Sequence, residues 1–228
     1  MRQKLEIKSI RDMAANVREV TVDRPEGYEF EPGQATLVCL CKDGWCNESR
    51  PFSFTSAPTW RTLTFAIKIY PEHHGVTAQI GRSRPGDWIE IGEAFGTICY
   101  LGPGTFIAGG TGITPFISIV RMLREHSSLD GHQLLFASRR EKDIIACSEL
   151  YEAFGASATF AITAEASSIF EPRPIRETLA WRNVQPSLTD RIYLCGPTSM
   201  VEELNGELRS AGFAEDQIVK EEWDVAYQ

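Results

Sequence analysis

Two short stretches carry residue types and spacings that could do chemistry. The first is Gly109-Gly110-Thr111-Gly112-Ile113-Thr114-Pro115, directly after the apolar run Thr105-Phe106-Ile107-Ala108. Within it, Gly110-x-Gly112-x-x-Pro115 differs from the dinucleotide pattern GxGxxG only in its third position. Glycines let a backbone approach a pyrophosphate closely, and a following helix offers it unpaired N–H groups and a positive dipole end. Thr114 is expected to N-cap that helix, with Pro115 at its first position. The second stretch is Arg50-Pro51-Phe52-Ser53. An arginine fork suits a phosphate, and an aromatic two residues along a strand shares its face and could line a flat ring system. Ser53 adds a small hydroxyl donor.

Other reactive residues read as structural. The six cysteines (39, 41, 46, 99, 147 and 195) follow no paired CxxC spacing. Cys39-x-Cys41-x4-Cys46 lacks the following CxxC and distant fourth cysteine of a plant-type iron–sulfur cluster. His73-His74 has no companion ligands and is expected in a surface turn. No metal is expected.

Positioning the two stretches falls to two kinds of element. Up to about residue 100, short β-rich runs (5–10, 17–22, 35–41, 50–56, 63–69 and 88–91) are punctuated by Pro25-Glu26-Gly27, Asp43-Gly44 and Pro85-Gly86-Asp87. Only 76–82 reads as a helix. This pattern predicts a small antiparallel barrel. Gly96, Gly102, Pro103 and Gly104 then mark a linker. Beyond it strands (105–108, 133–137, 159–163, 191–194 and 217–222) alternate with helices (115–125, 148–154, 175–181 and 199–210), predicting a doubly wound parallel sheet. The expected domains are 1–100 and 101–228.

The 228 residues, 43% apolar and 24% charged, suit a globular chain with a full core. A net charge of −8 argues against nucleic-acid binding. It is uneven: residues 1–100 carry 12 basic and 13 acidic groups, residues 101–228 carry 11 and 18. Residues 94–120 hold no charge, but eight glycines and prolines interrupt them, so no membrane span is expected. With no apolar signal core at the N-terminus and no disulfide framework, a reduced, cytoplasmic protein is expected.

Together these stretches resemble the ferredoxin–NADP reductase superfamily. Arg50-Pro51-Phe52-Ser53 looks like that family's Arg-x-Tyr-Ser flavin motif, with phenylalanine for tyrosine. The glycine loop looks like its nicotinamide loop, and Cys195-Gly196-Pro197 like its Cys-Gly-Pro motif. Pro85-Gly86-Asp87 also fits. The resemblance implies that Arg50 holds flavin phosphates, Phe52 packs on the isoalloxazine and Ser53 bonds near N5. Gly75, Val76 and Thr77 match its second phosphate-binding stretch. Gly110, Thr111 and Gly112 would cradle the nicotinamide dinucleotide, with Thr114 and Pro115 opening the helix and Cys195, Gly196 and Pro197 beside the nicotinamide. The tail Lys220-Glu221-Glu222-Trp223-Asp224-Val225-Ala226-Tyr227 resembles that of plant-type members. There Trp223 or Tyr227 would cover the flavin, and a glutamate, Glu222 first, would relay a proton near Ser53.

The implied activity is hydride transfer from NAD(P)H to bound FAD, rather than FMN, then electron transfer to a ferredoxin, flavodoxin or similar carrier. Ala164 and Glu165 stand where 2′-phosphate-selective members carry Ser-Arg, which favours NADH; Arg139 and Arg140 pull toward NADPH. The alternatives are a free-flavin reductase, a flavin-holding subunit fed by a partner, and a nucleotide-binding module without redox chemistry.

Overall fold

Residues 2–126, 129–164, 186–187 and 190–221 are described by a computed structural model. The expected helix at 175–181 lies outside them.

Strands β1 (Gln3–Ala14), β2 (Val17–Asp23), β3 (Ala35–Leu40), β4 (Arg50–Ser53), β5 (Thr62–Lys68) and β6 (Trp88–Phe95) form an antiparallel sheet in the order β4-β3-β6-β1-β2-β5. Its two ends meet just beyond β4. The Thr55 amide donates to the Thr64 carbonyl at 2.8 Å, and the hydroxyls of Thr55 and Thr64 lie 2.8 Å apart. This closes the sheet into a barrel around Ile7, Val20, Val38, Phe54, Phe65, Ile67, Ile89 and Ile91, with Phe30 stacked on Phe54 at 4.2 Å. The short helix α1 (Val76–Ile80) plugs Val76 and Ile80 into the same core.

Strand β6 is longer than its sequence suggests. The expected run 88–91 continues through Gly92, because between Thr36/Ala94 and Val38/Ile91 strand β6 carries one residue more than β3, an irregularity of the β-bulge kind. Strand β4 is shorter than expected because the chain leaves the ladder at Phe54 and turns toward β5.

The second sheet is parallel: β7 (Gly104–Gly109), β8 (Gln133–Ser138), β9 (Ala158–Ile162), β10 (Arg191–Cys195) and β11 (Ile218–Lys220), in the order β11-β10-β7-β8-β9. Helices α2 (Thr114–Glu125), α3 (Cys147–Phe154) and α4 (Thr198–Ser210) accompany it. Alternation along the strands feeds two cores. Phe106, Phe136 and Tyr193 pack with Phe116, Ile117 and Val120 of α2, whereas Ile107, Leu135, Ile192 and Leu194 pack with Leu204 and Leu208 of α4. The apolar stretch at 94–120 is therefore the end of β6, a buried strand and a buried helix face. No described helix is long and apolar enough to cross a membrane.

The chain runs β7 to β8 to β9 toward one edge, then returns to place β10 on the other side of β7. The strand order reverses between β7 and β10, and crevices open beyond the carboxyl ends of strands at such a reversal. Several bonds fix the barrel against this sheet. The Ala15 amide, in the β1–β2 turn, donates to the Lys142 carbonyl at 2.8 Å. Thr97 Oγ1 donates to the Lys220 carbonyl at 3.0 Å. The Tyr193 hydroxyl donates to the Gly102 carbonyl and accepts from the Leu101 amide, pinning the connection between the sheets.

Candidate active site

A cleft of about 620 Å³ opens where the barrel meets the strand reversal. Pro51, Phe52 and Ser53 line it from β4, with Lys68 and Tyr70 from the end of β5 and Thr77 from α1. From the parallel sheet come Gly109 to Gly112, Thr114 and Pro115, then Cys195, Gly196, Pro197 and Met200. Ser138, Arg139, Asp143 and Thr163 extend it along β8 and β9.

The two loops at the reversal touch backbone to backbone, and glycine is what permits it. A Cβ on Gly112 would stand 2.3 Å from the Cys195 carbonyl oxygen, and one on Gly196 would stand 3.1 Å from the Gly109 nitrogen. Met200, on α4, packs over both Gly109 and Gly196. Gly110 differs. Its φ is +55°, and a Cβ there would meet nothing within 4 Å, so its open side is available to a ligand.

Thr114 is not the N-cap of α2. A 3₁₀ turn over Gly110–Ile113 runs straight into the helix, and Thr114 is its first residue, with Oγ1 donating to the Thr111 carbonyl at 2.9 Å. No side chain caps the start of α2; the Thr114 N–H is donated to the Thr111 carbonyl and Pro115 carries none. Pro115 accordingly sits one position further in than expected.

The remaining expected residues divide. Arg50 is at the start of β4 but outside the cleft lining; half its side chain is in solvent, Nη1 donates to the Ser49 carbonyl at 2.7 Å and Nη2 lies 3.6 Å from Glu48. Gly75 precedes α1, and Val76 is spent on the barrel core, leaving Thr77 as the member of that trio on the cleft. Arg139 reaches the cleft with its side chain exposed, whereas Arg140 is gripped by both oxygens of Asp143 at 2.8 and 3.0 Å. Glu222, Trp223 and Tyr227 lie outside the described residues. His73 is exposed and stacks on Tyr70 at 5.3 Å, and the Lys68 ammonium sits 5.4 Å from the same Tyr70 ring.

Two described carboxylates line the cleft, Asp143, which grips Arg140, and Glu221. The latter follows β11 directly, and because Leu194 pairs with Lys220 it emerges beside Cys195. The thiol donates to Glu221 Oε2 at 3.6 Å. Burial pushes the Glu221 carboxyl up to about 7, against a smaller opposing effect of the Cys195 hydrogen bond. Burial, then the neighbouring carboxylate, drives the Cys195 thiol well above its ordinary value, so it stays neutral. Strand alternation could have chosen between the two glutamates: Val219 packs in the core that holds Cys195, and Glu221, two residues on, shares its face. Lys68, Tyr70 and Met200 carried no signal of their own, since nothing in a sequence shows which strand ends face each other.

The arrangement offers a glycine-lined helix start, an open backbone edge at Gly110, a phenyl ring, a hydroxyl and a half-buried carboxyl beside a buried thiol in one cleft. Residues 106–205 match the oxidoreductase NAD-binding domain family. Over 93% of its length the chain is 25% identical to the reductase component of propane 2-monooxygenase from Rhodococcus jostii (strain RHA1), covering 63% of that protein. Over 87% it is 26% identical to the ferredoxin–NAD(P)+ reductase component of the naphthalene 1,2-dioxygenase/salicylate 5-hydroxylase systems of Ralstonia sp, covering 62%. The chain is thus similar, over most of its length, to reductase components that act with ferredoxin or with an oxygenase. It spans a little under two thirds of the length of these two reductase components. The fold agrees: a ferredoxin NADP+ reductase from Neisseria gonorrhoeae, solved with bound FAD and NADP, superposes with a TM-score of 0.84 at 20% identity, covering 96% of this chain and 97% of that one. The FAD/NAD-binding domain of nitric oxide dioxygenase from Vibrio cholerae superposes at 0.83 with 18% identity, covering 96% and 97%. Against the Arg-x-Tyr-Ser pattern that the sequence resembles, Phe52 keeps the ring and lacks the hydroxyl.

Proposed function

We propose that this chain is a flavin-dependent NAD(P)H reductase, with residues 1–100 holding FAD and residues 101–228 receiving the nicotinamide dinucleotide. The observation that carries this reading is the shared cleft, in which Pro51, Phe52 and Ser53 of the barrel open into the same space as Gly110, Thr111 and Cys195 of the parallel sheet. Bound FAD would supply the chemistry, accepting hydride from NAD(P)H and releasing electrons to a carrier.

The chain's own residues supply position and electrostatics. Phe52 offers a ring face and Ser53 a donor at the barrel wall. The open side of Gly110, in the turn that leads into α2, suits a pyrophosphate. Neutral Cys195 presents a polarisable, uncharged surface where a nicotinamide would stack. Glu221, its carboxyl pushed up to about 7, can hold or release a proton within the cleft, and we propose it for the proton relay. Arg50, half in solvent and held to Glu48 only by an exposed ion pair, keeps donors that could meet a phosphate.

We propose NADH as the preferred donor. Asp143 already neutralises Arg140, one of the two cations that favoured a 2′-phosphate, and Ala164 offers no charge in its place. The acceptor is proposed to be a protein carrier such as a ferredoxin or flavodoxin, in keeping with relatives that are reductase components of oxygenase systems.

The test is the visible spectrum of the purified protein, then anaerobic NADH and NADPH added separately. A retained FAD spectrum bleached faster by NADH supports the reading. A colourless protein that reduces added flavin makes it a free-flavin reductase. A yellow protein that neither donor bleaches makes it a partner-fed subunit.

A further inference from the structure

We infer that Arg121 is a positioning residue for hydride transfer: it locks the helix that begins at the glycine loop against the chain that leaves Ser53, and so sets the gap between the two halves of the cleft. This rests on the function proposed above.

Arg121 lies on α2, seven residues past Thr114, roughly 10 Å along the helix from the loop. It is 5% exposed and lines no part of the cleft. Its guanidinium is used on several sides. Nε and Nη2 donate to the two oxygens of Glu149 on α3, at 2.7 and 2.8 Å. Nη1 donates to Glu19 Oε1 on β2 at 3.2 Å, to the Thr55 carbonyl at 2.9 Å and to Thr64 Oγ1 at 3.4 Å. The Trp60 ring packs 5.1 Å away. Glu19 is itself 3% exposed and is held by Arg11 on its other oxygen.

The neighbouring bonds follow the same pattern. Ser118 Oγ donates to the Ser56 carbonyl at 2.7 Å. Glu125 accepts from Trp60 Nε1 at 2.7 Å and from Thr59 Oγ1 at 2.5 Å. Ser118, Arg121 and Glu125 are spaced i, i+3 and i+7, one face of the helix. That face is bonded residue after residue to the segment 55–60. Thr55 is two residues beyond Ser53, some 7 Å of extended chain.

A helix that meets a barrel through apolar side chains alone can slide, because the hydrophobic effect has no direction. Directional bonds from one planar fork to two carboxylates and a backbone carbonyl allow one register. Buried charge of this kind is a poor way to gain stability compared with apolar packing. Its use here, between the helix of one cofactor half and the strand exit of the other, points to geometry as the property being held. Hydride transfer is steep in distance, and a displacement of ~1 Å from a remote change can cost about 100-fold in rate.

The test uses the flavin-loaded protein and the variants Arg121→Met, Arg121→Lys and Ser118→Ala. Three quantities are read alongside activity: FAD content, affinity for NAD+, and the long-wavelength absorbance of reduced flavin stacked with NAD+. A spin-label distance between Cys46 on the barrel and Glu207→Cys on α4, in a Cys99→Ser background, reports the orientation of the two halves. For Arg121→Met the expectation is unchanged FAD content and KM within about twofold, with a broadened distance distribution. The stacking absorbance falls, and the anaerobic hydride-transfer rate drops by roughly 10- to 100-fold. Lysine, which cannot fork between two carboxylates, should not restore it. Ser118→Ala should lower the rate by a few-fold in the same direction. The inference is overturned if the rate and stacking band are unchanged, or if the rate falls only in proportion to lost FAD. If the parent protein neither holds flavin nor is bleached by NADH, the proposed function fails, while a narrow distance distribution that Arg121→Met broadens still upholds the clamp.

Discussion

Cys195, the last residue of β10, and Glu221, the residue directly after β11, stand side by side where these neighbouring parallel strands end, the thiol donating to the carboxylate at 3.6 Å. Both are moved upward by burial, so the cleft carries a neutral thiol and a carboxyl poised near neutrality. A carboxyl in that state can exchange a proton at physiological pH, and the thiol cannot compete for it.

The Glu221→Gln variant separates this chemistry from the fold. The wild-type rate with NADH is expected to titrate near pH 7, and the variant should lack that step. Stability should change with the opposite sign to an ordinary salt-bridged carboxylate. Between about pH 4.5 and 7 the folded protein binds more protons than the unfolded chain, so stability falls as pH rises through this window. The full effect is about 3 kcal/mol. Wild type minus variant, followed by thermal melting, should therefore decline from pH 5 to 8; parallel melting curves would remove Glu221 from this role.

Glu149 predicts the reverse. Burial alone would raise its carboxyl, but the Arg121 fork and charge win and hold it below its ordinary value. Its contribution is present above about pH 4.5 and is lost as pH falls through the lowered folded value. Acid should thus loosen the Arg121 clamp, and Glu149→Gln should show a shallower loss of melting temperature below pH 4.5 than wild type. A variant as acid-sensitive as its parent would contradict the assignment.

Cysteine reactivity should follow exposure and thiolate fraction. Cys46 and Cys99 are exposed, whereas Cys39 and Cys195 are buried with raised thiols. At pH 8, iodoacetamide should label Cys46 and Cys99 at least about tenfold faster than Cys195. Peptide mapping over time checks this, and early modification of Cys195 would show the cleft to be open in a way the structure is not.

Two alanine substitutions in the glycine loop should fail differently. Gly112→Ala drives a methyl into the Cys195 carbonyl, backbone against backbone, and should lower stability by several kcal/mol or prevent folding. Gly110→Ala meets no atom but adopts φ +55°, a strain of about 1 kcal/mol, and places its methyl in the cleft. It should fold and bind FAD, with NADH affinity reduced about tenfold or more, a loss of roughly 1.4 kcal/mol. Melting temperature against KM distinguishes the two.

Much of this was legible in the residues. Alternation and turn signals marked the barrel strands, βα periodicity marked the parallel sheet, and Gly110 and Gly112 marked the loop, because these features depend on near neighbours in the chain. The reading faltered where a local signal was overridden. The run expected to end at residue 91 continues through a bulge at Gly92 and Glu93. Thr114 looked like a cap and instead closed the 3₁₀ turn. The sequence by itself determined which segments could pair, which faces were apolar and which loop could approach a phosphate. Tertiary structure alone decided that Glu221 emerges beside Cys195, that Arg50 turns toward Glu48, and that Arg121 bridges Glu19 and Glu149 across 102 and 28 residues of chain. Such meetings depend on strand order and on helix placement over the barrel, which are set by burying the whole apolar surface at once and leave no trace in any one stretch of residues.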